Sequence, residues 1–228
     1  VLTSNGAGVD PTFQAAAGGG DNFFSTTIWT TSYRPNHDTL GTVLTGSAAA
    51  TNRNDGIKPT TGATGSSVIE VFDGARWYTR GYNSNMSIRW SSLQIVLPAD
   101  GTALVFAFSN DTDAGAATKY AGIKGVAVAS ANTITFVSKD GTTEQSTNID
   151  ASFTEDSLVF QITDVVLTAN TNAKCVINGT TAATNSTNYP PNSDTTTTVI
   201  PWALQLDNST TADETYAVIG NVTTQITF

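Results

Sequence analysis

From Leu104 to Thr187 the chain is a near-unbroken series of extended, alternating segments. Phe106 and Phe108 lie in one such run. Gly122 to Ala129 (GIKGVAVA) and Asn132 to Lys139 (NTITFVSK) follow, and Asp140-Gly141 supplies a tight turn. Asp156 to Leu167 (DSLVFQITDVVL) and Lys174 to Thr180 (KCVINGT) complete the block. Alternation with a period of two puts successive side chains on opposite faces of a sheet. Strands of this kind cannot bury their apolar face alone, and two antiparallel sheets packed face to face are the usual solution. The expected fold is therefore all-β, a two-sheet antiparallel sandwich. No long helix is expected, because Ser109 to Ala117 is too rich in Asn, Asp and Gly to hold one.

A chain of 228 residues is long enough for one such sandwich as a single domain. Charged residues make up only 13% of it, against a typical share of about 25%, so Thr, Ser and Asn must supply the wet face. Threonine is both β-branched and able to bond with water. The net charge of −9, with ten basic residues, argues against a nucleic-acid binder. No apolar run is long enough to span a bilayer, so membrane insertion is not expected. The chain opens on Val1, which suggests a fragment or processed product. A single cysteine, Cys175, precludes an internal disulfide, and its alternating setting (Ala173, Cys175, Ile177) points to a buried small side chain. The single histidine, His37, sits in the loop-like YRPNHDT and reads as an exposed loop residue.

Residues 1–20 differ from the rest. Val1-Leu2-Thr3 reads as the end of a strand, Ser4 to Gly8 supplies turn residues, and Ala15 to Gly20 (AAAGGG) reads as a flexible joint. This part is expected to be an arm or connector, with residues 21–228 forming the sandwich. Strand signals follow at Phe23 to Tyr33, Leu40 to Leu44, Val68 to Phe72, Arg76 to Gly81 and, as one long strand, Met86 to Leu97. Ala48 to Ser67 reads as a long polar connection, unusual enough in length to be functional or locally structured. Thr181 to Thr195 reads as polar and turn-rich, and Pro201 places Thr196 to Leu206 at an edge or bend. Tyr216 to Ile219 and Val222 to Phe228 close the chain as extended segments. Asn178-Gly179 is a two-residue hairpin signal because both residues accept positive φ, and Asp140-Gly141 reads the same way.

The order FAFSNDTDAG, GIKGVAVA, TITFVSKDGTTEQSTNID, SLVFQITDVVLTANTNAKCVINGTTAATNSTNYP and TVIPWALQL resembles the concanavalin-like (laminin-G-like) jelly-roll domains of tailed-bacteriophage tail fibres and other virion structural proteins. Lys174, Ile177, Asn178, Gly179, Thr180, Ala183, Thr184, Thr187 and Pro191 carry the later part of the likeness. The opening VLTSNGAGVDPTFQA resembles the linker before receptor-binding or head domains in phage fibres. The resemblance implies a virion structural or host-attachment protein located on the phage particle, and a homotrimer where it is a tail fibre. Val9, Phe13 and Ala15 of the arm would then meet at the axis, and the arm would contact other virion proteins. The packed Asp/Asn/His/Glu cluster that holds Ca²⁺ and Mn²⁺ in plant-lectin-type members does not map onto this chain.

Enzymatic readings have little material. The four glutamates, Glu70, Glu144, Glu155 and Glu214, are dispersed, and no spacing puts two on one face of one strand. Glu70 alternates with Val68 and Phe72 and is the most interesting of them. Asn110-Asp111-Thr112-Asp113 alternates oxygen ligands at a spacing workable for Ca²⁺ through Asp111 and Asp113, and reads more simply as a solvated turn. Asn52, Asn54 and Asp55 form a weaker candidate. Arg76-Trp77-Tyr78-Thr79-Arg80 with Tyr82, Arg89 and Trp90 concentrates aromatic and basic residues in an acidic chain. Such groups suit sugar stacking or a protein interface. Tyr78, Arg80 and Tyr82 are expected to be exposed and to bind ligand; Trp77, a further ligand-binding candidate, and Trp90 lie in alternating stretches that point to the sandwich core. Six Asn-x-Ser/Thr sequons occur, at Asn85, Asn110, Asn178, Asn185, Asn208 and Asn221, as chance allows in a Thr/Asn-rich chain. The function expected is a non-enzymatic fibre or spike module that attaches to host-surface glycan. A capsid decoration or head fibre without a ligand, and a glycan-cleaving depolymerase, are the alternatives.

Overall fold

The structure, a computed structural model, describes residues 2–3, 12–13, 28–33, 35, 41–54, 56–73, 82, 84–91, 93–97, 100–128, 131–150, 158–160, 163–211 and 213–227. Among these residues there is no helix, and every strand pairing is antiparallel. A seven-stranded sheet runs, in spatial order, Glu144–Asp150, Ala131–Asp140, Lys119–Val128, Gly101–Ser109, Ile200–Asp207, Val68–Phe72, Gly41–Thr45. A six-stranded sheet runs Thr180–Asn185, Asn172–Ile177, Thr163–Thr168, Asn85–Trp90, Val222–Thr227, Ile28–Tyr33. A five-stranded sheet is ordered Leu158–Phe160, Leu93–Val96, Tyr216–Ile219, Gly56–Thr60, Ala49–Arg53. Leu2–Thr3 pairs with Thr12–Phe13 in a small ribbon of its own.

One core cluster draws on all three large sheets. Val105, Ile123, Phe136 and Leu204 come from the seven-stranded sheet, Met86, Ile88, Val165 and Cys175 from the six-stranded one, and Ile57, Leu93 and Ile95 from the third. Trp90 and Trp202 are fully buried in it. Cys175 behaves as the small apolar residue its alternation suggested, with burial pushing its thiol up to about 12. The antiparallel β-sandwich expected from alternation is thus observed, with a five-stranded sheet beside the two sheets expected.

Several segments differ from expectation, each for a local reason. Met86 to Leu97 is not one strand. Met86, Ile88 and Trp90 face the core, then Leu93, Ile95 and Leu97 do, so the buried phase slips by one residue and the chain passes from one sheet to another. Asp156 to Leu167 divides likewise into Leu158–Phe160 and Thr163–Thr168. The long polar connection of 48–67 contains the hairpin Ala49–Arg53 and Gly56–Thr60, so it is locally structured. Thr180–Asn185, expected to be turn-rich, is an edge strand that buries only Ala183 and Asn185. Asn178 and Gly179 have φ of 51° and 80°, as a primed two-residue turn requires. At Asp140-Gly141 only Gly141 takes positive φ (117°). Asp140 instead accepts the N–H groups of Thr142 and Thr143 at 2.8 and 2.9 Å, moving the turn one residue on.

Pro201 lies neither at an edge nor at a bend, but in a central strand between Gly101–Ser109 and Val68–Phe72. Its missing N–H falls where the ladder is interrupted. Pairing is recorded for Ala107 with Trp202 and Ser109 with Ile200 but skips Phe108, and the Val68–Phe72 strand pairs no earlier than Ala203. Phe108 has φ of 54°, which rotates its ring from the outer face, where Leu104 and Phe106 point, into the main core. Its carbonyl accepts the Tyr82 hydroxyl at 2.7 Å, and the same hydroxyl lies 3.1 Å from the Lys119 carbonyl.

Candidate functional site

The outer face of the seven-stranded sheet carries the richest chemistry among the described residues. Register places Leu104 opposite Lys124 and Gln205, Phe106 opposite Gly122 and Ala203, and Gln205 opposite Glu70. The Phe106 and Tyr120 rings stack with centroids 3.9 Å apart and planes 5° from parallel. The Tyr120 hydroxyl donates to Glu144, whose other oxygen pairs with Lys124 at 3.5 Å. Burial, then the bond to Glu144, pushes Tyr120 far above the usual phenol range, so it remains a neutral donor.

The 110–118 loop folds over this stack, with Ala114 and Ala117 buried in one cluster with Leu104, Phe106 and Tyr120. The loop is pinned by its own side chains. Asn110 Oδ1 accepts the N–H groups of Thr118 and Lys119 at 2.9 and 2.8 Å. Asp113 Oδ1 accepts those of Gly115 and Ala116 at 2.7 and 3.2 Å, and Asp111 Oδ1 accepts that of Asp113 at 3.1 Å. In Asp111 and Asp113, the pair expected to suit Ca²⁺, one carboxylate oxygen of each thus bonds to the backbone of the loop. Among the described residues no group of three His, Cys, Asp or Glu side chains is placed to hold a metal ion.

Gln205 joins the loop to the sheet. Its Nε2 donates to Glu70 Oε1 at 3.3 Å and to Asp113 Oδ1 at 3.1 Å, so the two carboxylate oxygens lie within the sum of those lengths of each other. Burial first, then the charge of Asp113 and more weakly that of Asp111, raises the Glu70 proton affinity, against the lowering effect of Gln205. Beside the loop, a depression of about 160 Å³ is lined by Asn110, Asp111, Thr112, Thr198 and Ile200. In the segment leading to Thr198, Asp194 pairs with Lys119 and accepts the N–H groups of Thr196 and Thr197 at 3.3 and 3.0 Å. Burial pushes Asp194 up, but the bonds from Lys119 and Thr197 outweigh it and hold the carboxyl at about 2.

The expected site residues meet different fates. Tyr82 is not exposed: it is fully buried, because its hydroxyl is needed by the carbonyl that the Phe108 kink releases. Trp77, Tyr78 and Arg80 lie outside the described residues, as do Val9, Ala15, His37 and Glu155. Phe13 pairs with Leu2 in the small ribbon. Trp90 is core, as expected, and Arg89 points outward from the six-stranded sheet. Glu70 does share a face with Val68 and Phe72. The sequons at Asn185 and Asn208 are fully buried and closed to modification. Gln205 was missed, although its polar side chain between Leu204 and Leu206 is visible as an outward position in an otherwise apolar strand.

Neither protein-family models nor curated proteins give a match to this chain. Solved structures do. Peanut lectin matches with a TM-score of 0.56 over 89% of this chain and 99% of its own, at 12% identity. The fold is a concanavalin-like jelly roll. A protein of unknown function from Shewanella oneidensis MR-1 matches with a TM-score of 0.52 at 13% identity, over 88% of this chain and 87% of that one. The receptor binding domain of botulinum neurotoxin D matches with a TM-score of 0.50 at 10% identity, over 84% of this chain and 48% of that one. At these identities the likeness concerns the fold.

Proposed function

We propose that this chain is a non-enzymatic glycan-binding module of a virion fibre or spike, recognising host-surface polysaccharide at the rim of the 110–118 loop. The observation that carries the proposal is the Glu70–Gln205–Asp113 cluster on the outer sheet face, next to a depression lined by hydroxyl, amide and carboxylate groups over Ile200. Sugar hydroxyls are recognised by such mixed donors and acceptors on a preformed surface. The likeness to a lectin fold supports this reading. On a glycan array the protein is expected to retain host polysaccharide, and Gln205→Ala is expected to weaken binding about tenfold through loss of one bridging amide. Failure to retain any host polysaccharide or whole cells would leave the ligand-free capsid-decoration reading.

A depolymerase is the second reading, favoured by the approach of Asp113 to a Glu70 whose proton affinity is raised. Acid/base hydrolysis of glycosides needs two carboxyl groups close together, one of them with a raised proton affinity. Release of reducing ends by the wild type, abolished in Glu70→Gln, would select it over binding alone.

The same proposal includes a homotrimer joined through residues 1–20, with Val9, Phe13 and Ala15 at the axis and other virion proteins engaged by the arm. Closed symmetry would shield sheet edges from open-ended pairing. Deleting residues 1–20 is expected to leave the sandwich folded while lowering the sedimenting mass from trimer to monomer. Equal mass for both forms would remove the arm from the assembly.

A further inference from the structure

The opposite side of the sandwich holds a basin that the proposed function does not use. It opens on the outer face of the six-stranded sheet, has a volume of about 250 Å³, and is lined by Ser87, Arg89, Asp164, Val166, Thr223 and Gln225. Three adjacent strands build it by register. Thr223, Arg89 and Asp164 form one cross-strand row, and Gln225, Ser87 and Val166 form the next. Alternation sends the intervening Ile88, Val165 and Thr224 inward, so the basin stands on a rigid, fully packed base.

Its centre is a two-pronged ion pair. Arg89 Nε donates to Asp164 Oδ1 at 2.5 Å and Nη2 donates to Oδ2 at 2.8 Å. The Asp164 side chain is only 13% exposed, whereas that of Arg89 is 58% exposed. The fork occupies the Nε–Nη2 edge of the guanidinium and leaves Nη1 on the far side. The pair cancels its own charge while keeping its directional hydrogen-bonding groups, and around it stand two hydroxyls, one amide and the methyls of Val166.

We propose that this basin is a second ligand site, distinct from the 110–118 rim, and that it takes a neutral polyhydroxylated ligand of hexose size. A neutral ligand fits because the two formal charges in the basin are already matched to each other. A polyol fits because neighbouring hydroxyls can accept from Arg89 or Gln225 and donate to Asp164 or Ser87, while a C–H face rests on Val166. A free carboxylate or phosphate would have to compete with Asp164 for the guanidinium, in a chain carrying a net charge of −9. With two sites on opposite sheets, one molecule could bridge two glycan chains, and avidity would then exceed the affinity of either site.

The test uses the full chain and amide-resolved NMR titration with glucose, galactose and lactose, and with glucuronate as the anionic probe. The neutral sugars are expected to shift the amides of Ser87, Val166, Thr223 and Gln225 with millimolar affinity. Arg89→Met, which keeps the stem and removes the fork, is expected to weaken these shifts about tenfold or more. Thr223→Val, a milder change at the rim, is expected to weaken them less, and it covers the case in which Arg89→Met does not fold. Gln205→Ala, on the other sheet, is expected to leave them unchanged, so loss of the rim site and loss of the basin are read separately. No shift at these amides, an undiminished response in both basin variants, or stronger binding of glucuronate than of the neutral sugars would each overturn the proposal.

Discussion

Gly122→Ala is expected to destabilise the protein by about 3 kcal/mol, at the upper end of overpacking costs. A Cβ there would lie 2.3 Å from the Val105 carbonyl oxygen and 2.7 Å from Phe106 Cα. Both are backbone atoms of the paired strand in the middle of the seven-stranded sheet, so neither can rotate away. Relief would require the strands to separate, which breaks the ladder and moves Phe106 off the Tyr120 ring. The loop cluster above that stack would loosen with it. Gly125→Ala is the comparison, since its Cβ would meet the terminal methyls Leu97 Cδ1 and Ile134 Cδ1 at 2.8 and 3.0 Å. Side-chain ends can shift, so Gly125→Ala is expected to cost clearly less. Urea unfolding of the two variants checks the contrast, and equal midpoints would contradict it.

The second large effect belongs to Asn185, which joins the two main sheets along one edge. Its Oδ1 accepts the Thr147 hydroxyl at 2.7 Å, while Nδ2 donates to Ser138 Oγ at 3.0 Å and to the Gln145 carbonyl at 3.1 Å. Asn185 and Ser138 are fully buried. Truncation to alanine would remove three bonds and leave the fully buried Ser138 hydroxyl without this partner in a place closed to water, and such an orphan costs more than the bond itself adds. Asn185→Ala is expected to cost about 3 kcal/mol. Asn185→Asp should be comparably harmful, because a carboxylate cannot donate to Ser138 or to the Gln145 carbonyl. Thermal unfolding of the two variants provides the check, and a shift no larger than that of an exposed Thr→Ala change would show that the edge is held by other contacts.

Asn185 also marks a limit of local reading. In sequence it sits within TTAATN, which looks like part of a polar connection, and nothing nearby identifies Ser138 or Gln145 as its partners. An edge strand needs only one packed face, so its alternation is carried by Ala183 and Asn185 alone. The passage of the chain between sheets at Trp90 to Leu93 was legible in principle, because an odd slip in the buried phase appears in the sequence itself. The Tyr82 error has a different origin. Its neighbours suggest an exposed aromatic patch, but the ring is drawn inward by a carbonyl released where Phe108 takes positive φ opposite Pro201. That kink depends on two strands nearly a hundred residues apart, which no local pattern records.

Alternation by itself determined that this chain is an antiparallel sandwich, where its long central strands lie, and which side of Val68–Phe72 carries Glu70. These follow from the two-residue period of the backbone, a property of each segment alone. Tertiary structure alone decided that Glu70 meets Gln205 and Asp113, that Arg89 forks onto Asp164, and that Tyr82 is buried. Those meetings depend on strand order and register, which are chosen by the packing of the whole core rather than by any one strand.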